Sequence, residues 1–282
     1  MEAEKTTVCP FKTIAAALSF SPYCFTILSQ AKHLSDALGA SLVMFHVGEK
    51  TPEKEQSLNE MMRELNIDYD SSRMIWMDES NEVQTILELC KLNTVDLLVL
   101  GARAQENIVK FYIGSVARKI SRKAKCSVML IANNSQKQAV YDTLVVNGND
   151  NPKTQNTIHA ALYFAKNLNS KQVYVVNELD NNLSMMTDAN AKTSKQKESL
   201  KNVEALMHSL ILKHKNSGFD LISKTVKGKA GYAINKFAES KKADLLVINS
   251  PDVKLGVMDR IFTHDMEHIL ANLPCNLLIV YS

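Results

Sequence analysis

Apolar positions along this chain alternate between two periods. Short runs dominated by apolar residues at Lys12–Leu18, Leu42–Val47, Arg73–Met77, Asp96–Leu100 and Ser127–Ala132 are too brief for helices. They have the character of strands buried on both faces. Between them the apolar residues recur at helical spacing: Ile27, Ala31, Leu34 and Leu38; Met61 and Leu65; Val83, Ile86, Leu87 and Cys90; then Ile113, Val116, Ala117, Ile120 and Ala124. Each stripe predicts a helix with one face on a core. Gly39 stands where a left-handed C-cap belongs. Strand and helix alternating in this way predict a parallel sheet covered on both faces.

The pattern then repeats. Val95-Asp-Leu-Leu-Val-Leu-Gly101 returns 148 residues later as Ala243-Asp-Leu-Leu-Val-Ile-Asn249, and Cys126-Ser-Val-Met-Leu-Ile131 returns 149 later as Cys275-Asn-Leu-Leu-Ile-Val280. Ser35-Asp-Ala-Leu-Gly39 is answered 130 residues on by Ala165-Lys-Asn-Leu-Asn169. The growth of the offset predicts an insertion of about eighteen residues in the second copy, in the polar stretch Asn177–Ser199, which reads as a loop or mobile segment. Strands are expected at Leu144–Asn147, Val173–Val176, Leu221–Thr225, Leu245–Ile248 and Leu277–Tyr281, with helical stripes at Leu200, Val203, Leu206 and Leu210 and at Ala233, Ile234 and Phe237. The boundary falls in the polar stretch Asn133–Val140. The predicted fold class is therefore α/β: two tandem flavodoxin-like, doubly wound domains, residues 1–136 and 137–282, each a five-stranded parallel sheet with helices on both faces.

Composition narrows the chemistry. A length of 282 residues suits two domains. A net charge of +3 predicts neither a nucleic-acid nor a membrane partner. No run approaches the ~20 apolar residues of a membrane span. Ile14–Leu18 behind Lys5 and Lys12 imitates a secretory segment, but Glu2 and Glu4 spoil the basic flank. Five scattered cysteines without a C-x-x-C pair point to a reducing cytoplasm rather than to disulfides or a zinc ribbon. Glycine is scarce: 9 residues, about 3 % against a typical ~7 %. Several glycine-rich phosphate loops are hard to build from so few.

Ligands of open parallel sheets bind beyond the carboxyl ends of the strands. In the first copy that edge carries Ser19, Val47, Gly101-Ala-Arg103-Ala104 and Gly114-Ser115. Gly101 follows a strand and Gly114-Ser115 opens a helix, an arrangement suited to cradling phosphate, with Arg103 or Lys110 adding charge. The plainer reading makes Gly101 a tight turn and Ser115 an N-cap. His264-Asp-Met-Glu-His268 fits H-x-x-E-H but lacks room downstream for a third ligand, and reads as an exposed helix start. Gly228-Lys229-Ala230-Gly231 is too short for a Walker loop and falls at a turn. Neither a metal site nor a catalytic residue is predicted.

The duplicated five-strand unit, with G-x-x-A-x9-G-S here where the pattern has G-x-x-G-x9-G-S, resembles the universal stress protein family in its tandem form, over Phe11–Ala132 and Tyr141–Tyr281. The resemblance implies adenine nucleotide alpha hydrolase-like, Rossmann-like domains packed as an internal pseudo-dimer, with a further homodimer open. It also implies a cytoplasmic stress-response protein that is not an enzyme beyond weak ATP hydrolysis. ATP or AMP is the implied ligand, with Mg only as a companion of ATP. The alternative is a nucleotide-independent module that regulates through protein partners, its mobile Asn177–Ser199 segment recruiting them. The family's first-strand aspartate is Ser19 here, Val47 matches the residue after the second strand, and Gly101 and Gly114-Ser115 match the phosphate motif, while Ala104 replaces its middle glycine. The second copy has Asn149, Asn249, Asp252 and Phe262-Thr263 (or Thr263-His264) at these positions and keeps no glycine. Nucleotide is therefore expected in the first half alone.

Overall fold

The computed structural model describes residues 11–69, 72–104, 111–112, 114–132, 140–179, 201, 205, 207, 209–210, 217–253, 260–261 and 264–281. The first half runs β1 (Thr13–Ala17), α1 (Cys24–Leu38), β2 (Ser41–Val47), α2 (Pro52–Glu64), β3 (Ser72–Met77), α3 (Glu82–Leu92) and β4 (Leu97–Gly101). Two short strands, β5 (Arg103–Ala104) and β6 (Phe111–Tyr112), precede α4 (Ser115–Lys123) and β7 (Ser127–Ile131). The second half runs β8 (Thr143–Asn147), α5 (Thr154–Asn167), β9 (Gln172–Leu179), β10 (Asp220–Lys227), α6 (Tyr232–Ser240) and β11 (Leu245–Asn249). It closes with β12 (Asp252–Val253), β13 (Arg260–Ile261), α7 (His264–Ala271) and β14 (Asn276–Val280).

Ten strands form one sheet in the order β10-β9-β8-β11-β14-β7-β4-β1-β2-β3. Each half is parallel in the order 3-2-1-4-5, the Rossmann order rather than the 2-1-3-4-5 of flavodoxin. The halves meet where β14 and β7 pair antiparallel, Leu278 opposite Met129. Side-chain bonds reinforce both ends of this seam: Asn276 Oδ1 accepts the Ala132 N–H at 2.9 Å and Ser127 Oγ accepts the Tyr281 N–H at 3.1 Å. On one sheet face α1 and α5 bring the halves together, with Phe11 edge-on to Phe164 at 5.1 Å and the buried Tyr141 hydroxyl donating to Gln30 at 2.6 Å. On the other face Glu267 of α7 pairs with Arg118 and Arg122 of α4.

Local signals explain the elements. Gly39 closes α1 in the left-handed region at φ 63°, as its position predicts. Thr51 and Asn81 accept the Lys54 and Gln84 N–H groups and cap α2 and α3. The repeated Asp-Leu-Leu motif has a mechanical role. Asp96 Oδ2 accepts the Lys12 and Thr13 N–H groups at 2.8 and 3.0 Å, and Asp244 Oδ2 accepts that of Thr143 at 2.9 Å. Each aspartate thus ties the fourth strand of its half to the entry of the first.

One expectation needs correction. The stretch Asn177–Ser199 is expected as a loop or mobile segment, but Asn177, Glu178 and Leu179 continue β9, and Asn177 is buried. They pair with Thr225, Val226 and Lys227 of β10, so backbone bonding to an edge strand carries β9 beyond its apolar run. The rest of that stretch lies outside the described residues, as do Leu200, Val203 and Leu206 and the stretch 133–139 that holds the expected domain boundary.

Burial raises the Asp244 carboxyl above the ordinary carboxylate range, against the lowering influence of the Thr143 and Asp142 N–H groups. A raised folded-state value means that the folded protein holds this proton more tightly than the unfolded chain. Its contribution to stability therefore falls as pH rises through the window between the ordinary value of 3.8 and the raised one. Asp244→Asn keeps an oxygen for the Thr143 N–H and removes the titration. Thermal melts from roughly pH 4 to pH 7 are expected to show the balance between the two proteins moving toward the variant as pH rises. A pH-independent difference would contradict this.

Candidate functional site

A cavity of about 1020 Å³ opens at the carboxyl edge of the first half, between the ends of β1 and β4, where the strand order reverses. Its size is at the upper end of the roughly 300–1,000 Å³ usual for small-molecule sites. Ser19, two residues beyond β1, Val47 at the end of β2, Gly101 at the end of β4 and Gly114 before α4 all line it. Four of the seven positions singled out in the sequence are thus brought together.

The turn bearing Ser19 is held by an aromatic cluster. Phe20 adopts φ 49°, unusual for a bulky residue, and its ring stacks on Trp76 at 5.5 Å and stands edge-on to His46 at 4.8 Å. His46 Nδ1–H donates to the Leu18 carbonyl at 2.8 Å; a carbonyl only accepts, which fixes the tautomer. Lys54 Nζ reaches the other ring nitrogen at 3.3 Å and the Glu49 carbonyl at 2.6 Å. Ser19 itself donates through Oγ to Ser21 Oγ at 3.2 Å.

Gly101 lies outside the positive-φ region, so no turn demands glycine there. A Cβ there would stand 2.7 Å from Ile27 Cδ1, the end of a side chain that would have to shift to admit it. Gly114 is the N-cap of α4, at φ −64° and ψ 163°, and offers no side-chain cap. The N-cap reading of Ser115 is therefore corrected; Ser115 is the first helical residue, exposed and outside the cavity lining. The first helical bond is Arg118 N–H to the Gly114 carbonyl, so the N–H groups of Ser115, Val116 and Ala117 have no helical acceptor. Ala104 lies in an antiparallel ladder with Phe111 and outside the positive-φ region, so its backbone imposes no strain on an alanine. The Arg103 and Ala104 side chains and Lys110 lie outside the described residues.

Among the described lining residues Glu82, the first residue of α3, is the sole charged side chain. Cys24 opens α1 nearby, but burial pushes its thiol up and leaves it unreactive.

At the corresponding strand ends the second half carries polar side chains engaged in hydrogen bonds. Strand registers put Asn249 where the first half has Gly101 and Glu178 where it has Val47. Asn249 Oδ1 accepts from the Thr157 hydroxyl at 2.5 Å, and its Nδ2 donates to Thr154 Oγ1 at 3.2 Å. Lys153 Nζ donates to the Ser250 and Pro251 carbonyls, each at 3.0 Å. Glu178 accepts the Gly231 N–H at 2.9 Å, the Ile234 N–H at 2.8 Å and Asn149 Nδ2 at 3.2 Å. An internal carboxylate thus occupies the N-terminus of α6. Sequence reasoning named Asn149 and Asn249 but missed Lys153 and Glu178; a lone carboxylate ending an apolar run was the available signal.

The remaining motifs take structural roles. Gly228 and Gly231 adopt φ 148° and 76° in the turn after β10. Glu267 of the H-x-x-E-H pattern is committed to two arginines, and no group of metal-ligating side chains occurs among the described residues. Phe262 and Thr263, and the side chains of Asp252 and His264, lie outside them. No described helix is long and apolar enough to cross a membrane.

A family model described as the universal stress protein family matches twice, over residues 10–132 and 141–281. Among solved structures, a functionally unknown protein from Pseudomonas aeruginosa PAO1 superposes with TM-score 0.71 at 15% identity, covering 96% of this chain and 93% of its own. A universal stress protein from Archaeoglobus fulgidus DSM 4304 does so with TM-score 0.64 at 12% identity, covering 95% and 97%. Such low identities speak to the fold. No curated relative matches the sequence.

Proposed function

Since the chain belongs to the universal stress protein family, with two copies of its fold in one sheet, we propose that it is a stress-response protein that binds one adenine nucleotide, ATP or AMP, in its first half. The observation that carries this reading is the contrast between the halves. The first keeps an open cavity at the switch point of its sheet, with three helix N–H groups at its phosphate end. The second carries Lys153, Glu178 and Asn249 at the corresponding strand ends, each engaged in hydrogen bonds within its own half. In this reading the protein senses or sequesters nucleotide rather than turning it over, and Mg²⁺ accompanies ATP without a dedicated protein site. Four described cysteines are free thiols, three of them buried, which supports a reducing compartment such as the cytoplasm.

Equilibrium binding of labelled ATP and AMP to the full chain tests the proposal. Saturable binding at one site per chain, without hydrolysis above buffer, is expected. A stoichiometry of two would overturn the assignment to one half. No saturable binding would overturn the nucleotide reading and favour a protein-interaction module.

A further inference from the structure

We propose, building on the nucleotide reading, that Glu82 recognises the sugar of the bound nucleotide, its carboxylate accepting the ribose hydroxyls. The first-strand position that carries an aspartate in the resembled pattern is Ser19 here, and its hydroxyl is engaged with Ser21. The first half therefore lacks a charge at the end of β1. The cavity is nevertheless lined by one acidic residue from a different element, the exposed Glu82 at the start of α3.

Two features separate this carboxylate from an ordinary acidic residue in a first turn. The N-cap of α3 is Asn81, whose Oδ1 accepts the Gln84 N–H at 3.2 Å, so Glu82 has no capping duty. Its carboxylate makes no hydrogen bond or ion pair among the described residues, whereas the corresponding mouth in the second half ties its carboxylate, Glu178, to two backbone N–H groups. Ile86, one turn along α3, lines the cavity too, so this face of the helix is turned toward the ligand space.

The chemistry then selects the ligand group. An ionised carboxylate only accepts hydrogen bonds, so it needs donors. Phosphate oxygens are acceptors and carry like charge; ribose hydroxyls are neutral donors, which acidic residues take in other doubly wound sheets. The helices α3 and α4 pack side by side on one sheet face, so the Glu82 carboxylate and the free N–H groups behind Gly114 both border the cavity. They define its polarity, sugar toward Glu82 and phosphate toward α4.

Titration calorimetry on the full chain with AMP and 2′-deoxy-AMP tests this, using wild type and Glu82→Gln. Wild type is expected to favour AMP by about tenfold, the range of one charge-assisted hydrogen bond. Glu82→Gln is expected to bind AMP about tenfold more weakly and to lose the preference, with the melting temperature of the free protein lowered by no more than about 2 °C, the share of one first-turn charge. A helix-stabilising role alone would leave the ribose preference intact. A variant that keeps the preference, or binds AMP more tightly, overturns the sugar assignment while wild-type binding leaves the nucleotide reading standing. Absence of wild-type binding overturns both.

Discussion

Leu278→Ala is expected to destabilise the protein by about 3–5 kcal/mol, the upper range for a leucine truncated in a tight core. Leu278 is fully buried on β14, opposite Met129 across the antiparallel seam and beside Val247 on the parallel side. Backbone pairing holds β14 between the two halves, so a void there loosens both. For a chain of 282 residues the loss corresponds to a melting temperature lower by about 5–8 °C. Because one sheet runs through the seam, a single transition is expected for wild type and variant alike. Leu92→Ala provides the contrast: Leu92 is 78% exposed at the end of α3, and its loss is expected to stay within about 0.5 kcal/mol. Two separate transitions in the melt of Leu278→Ala would show that the halves fold independently.

Most of this architecture was legible in the sequence because strands buried on both faces leave unbroken apolar runs, and helices between them leave stripes. Thr13–Ala17 and Leu245–Asn249 lie within a residue of the runs that predicted them. The duplication fixed strand correspondence before any contact was known. Two of the misses share one cause, since each depends on a partner distant along the chain. Gly101 invites a tight-turn reading, while its backbone is not at positive φ and its near neighbour is Ile27, brought beside it by helix packing. The end of β9 looks like a loop because Asn177 and Glu178 are polar, while its strand character comes from pairing with β10. Glu82 gave no signal, because an acid in the first turn already has a local explanation in the helix dipole. The repeated aspartates were visible as a repeat, but their grip on β1 and β8 was not.

Gly114→Asp is expected to weaken adenine nucleotide binding by about a hundredfold or more while leaving stability unchanged or slightly raised. The backbone there suits any residue: φ −64° and ψ 163° are ordinary extended values. Aspartate is a better N-cap than glycine by a few tenths of a kcal/mol, and its charge at the helix start adds about 0.3–1 kcal/mol. The carboxylate would accept the Val116 or Ala117 N–H that the phosphate otherwise uses, as Glu178 already accepts the Gly231 and Ile234 N–H groups in the second half. The ligand loses a charge-assisted bond of about 1.5–3 kcal/mol and meets a like charge, together about two orders of magnitude in affinity. Gly114→Asn separates the two effects, since it caps the helix as well but brings no charge. It is expected to lose about tenfold, the share due to competition for the N–H groups alone. Melting and binding measured on the same samples decide the matter. Loss of binding with retained stability places the phosphate at α4; full AMP affinity in Gly114→Asp would remove it from there.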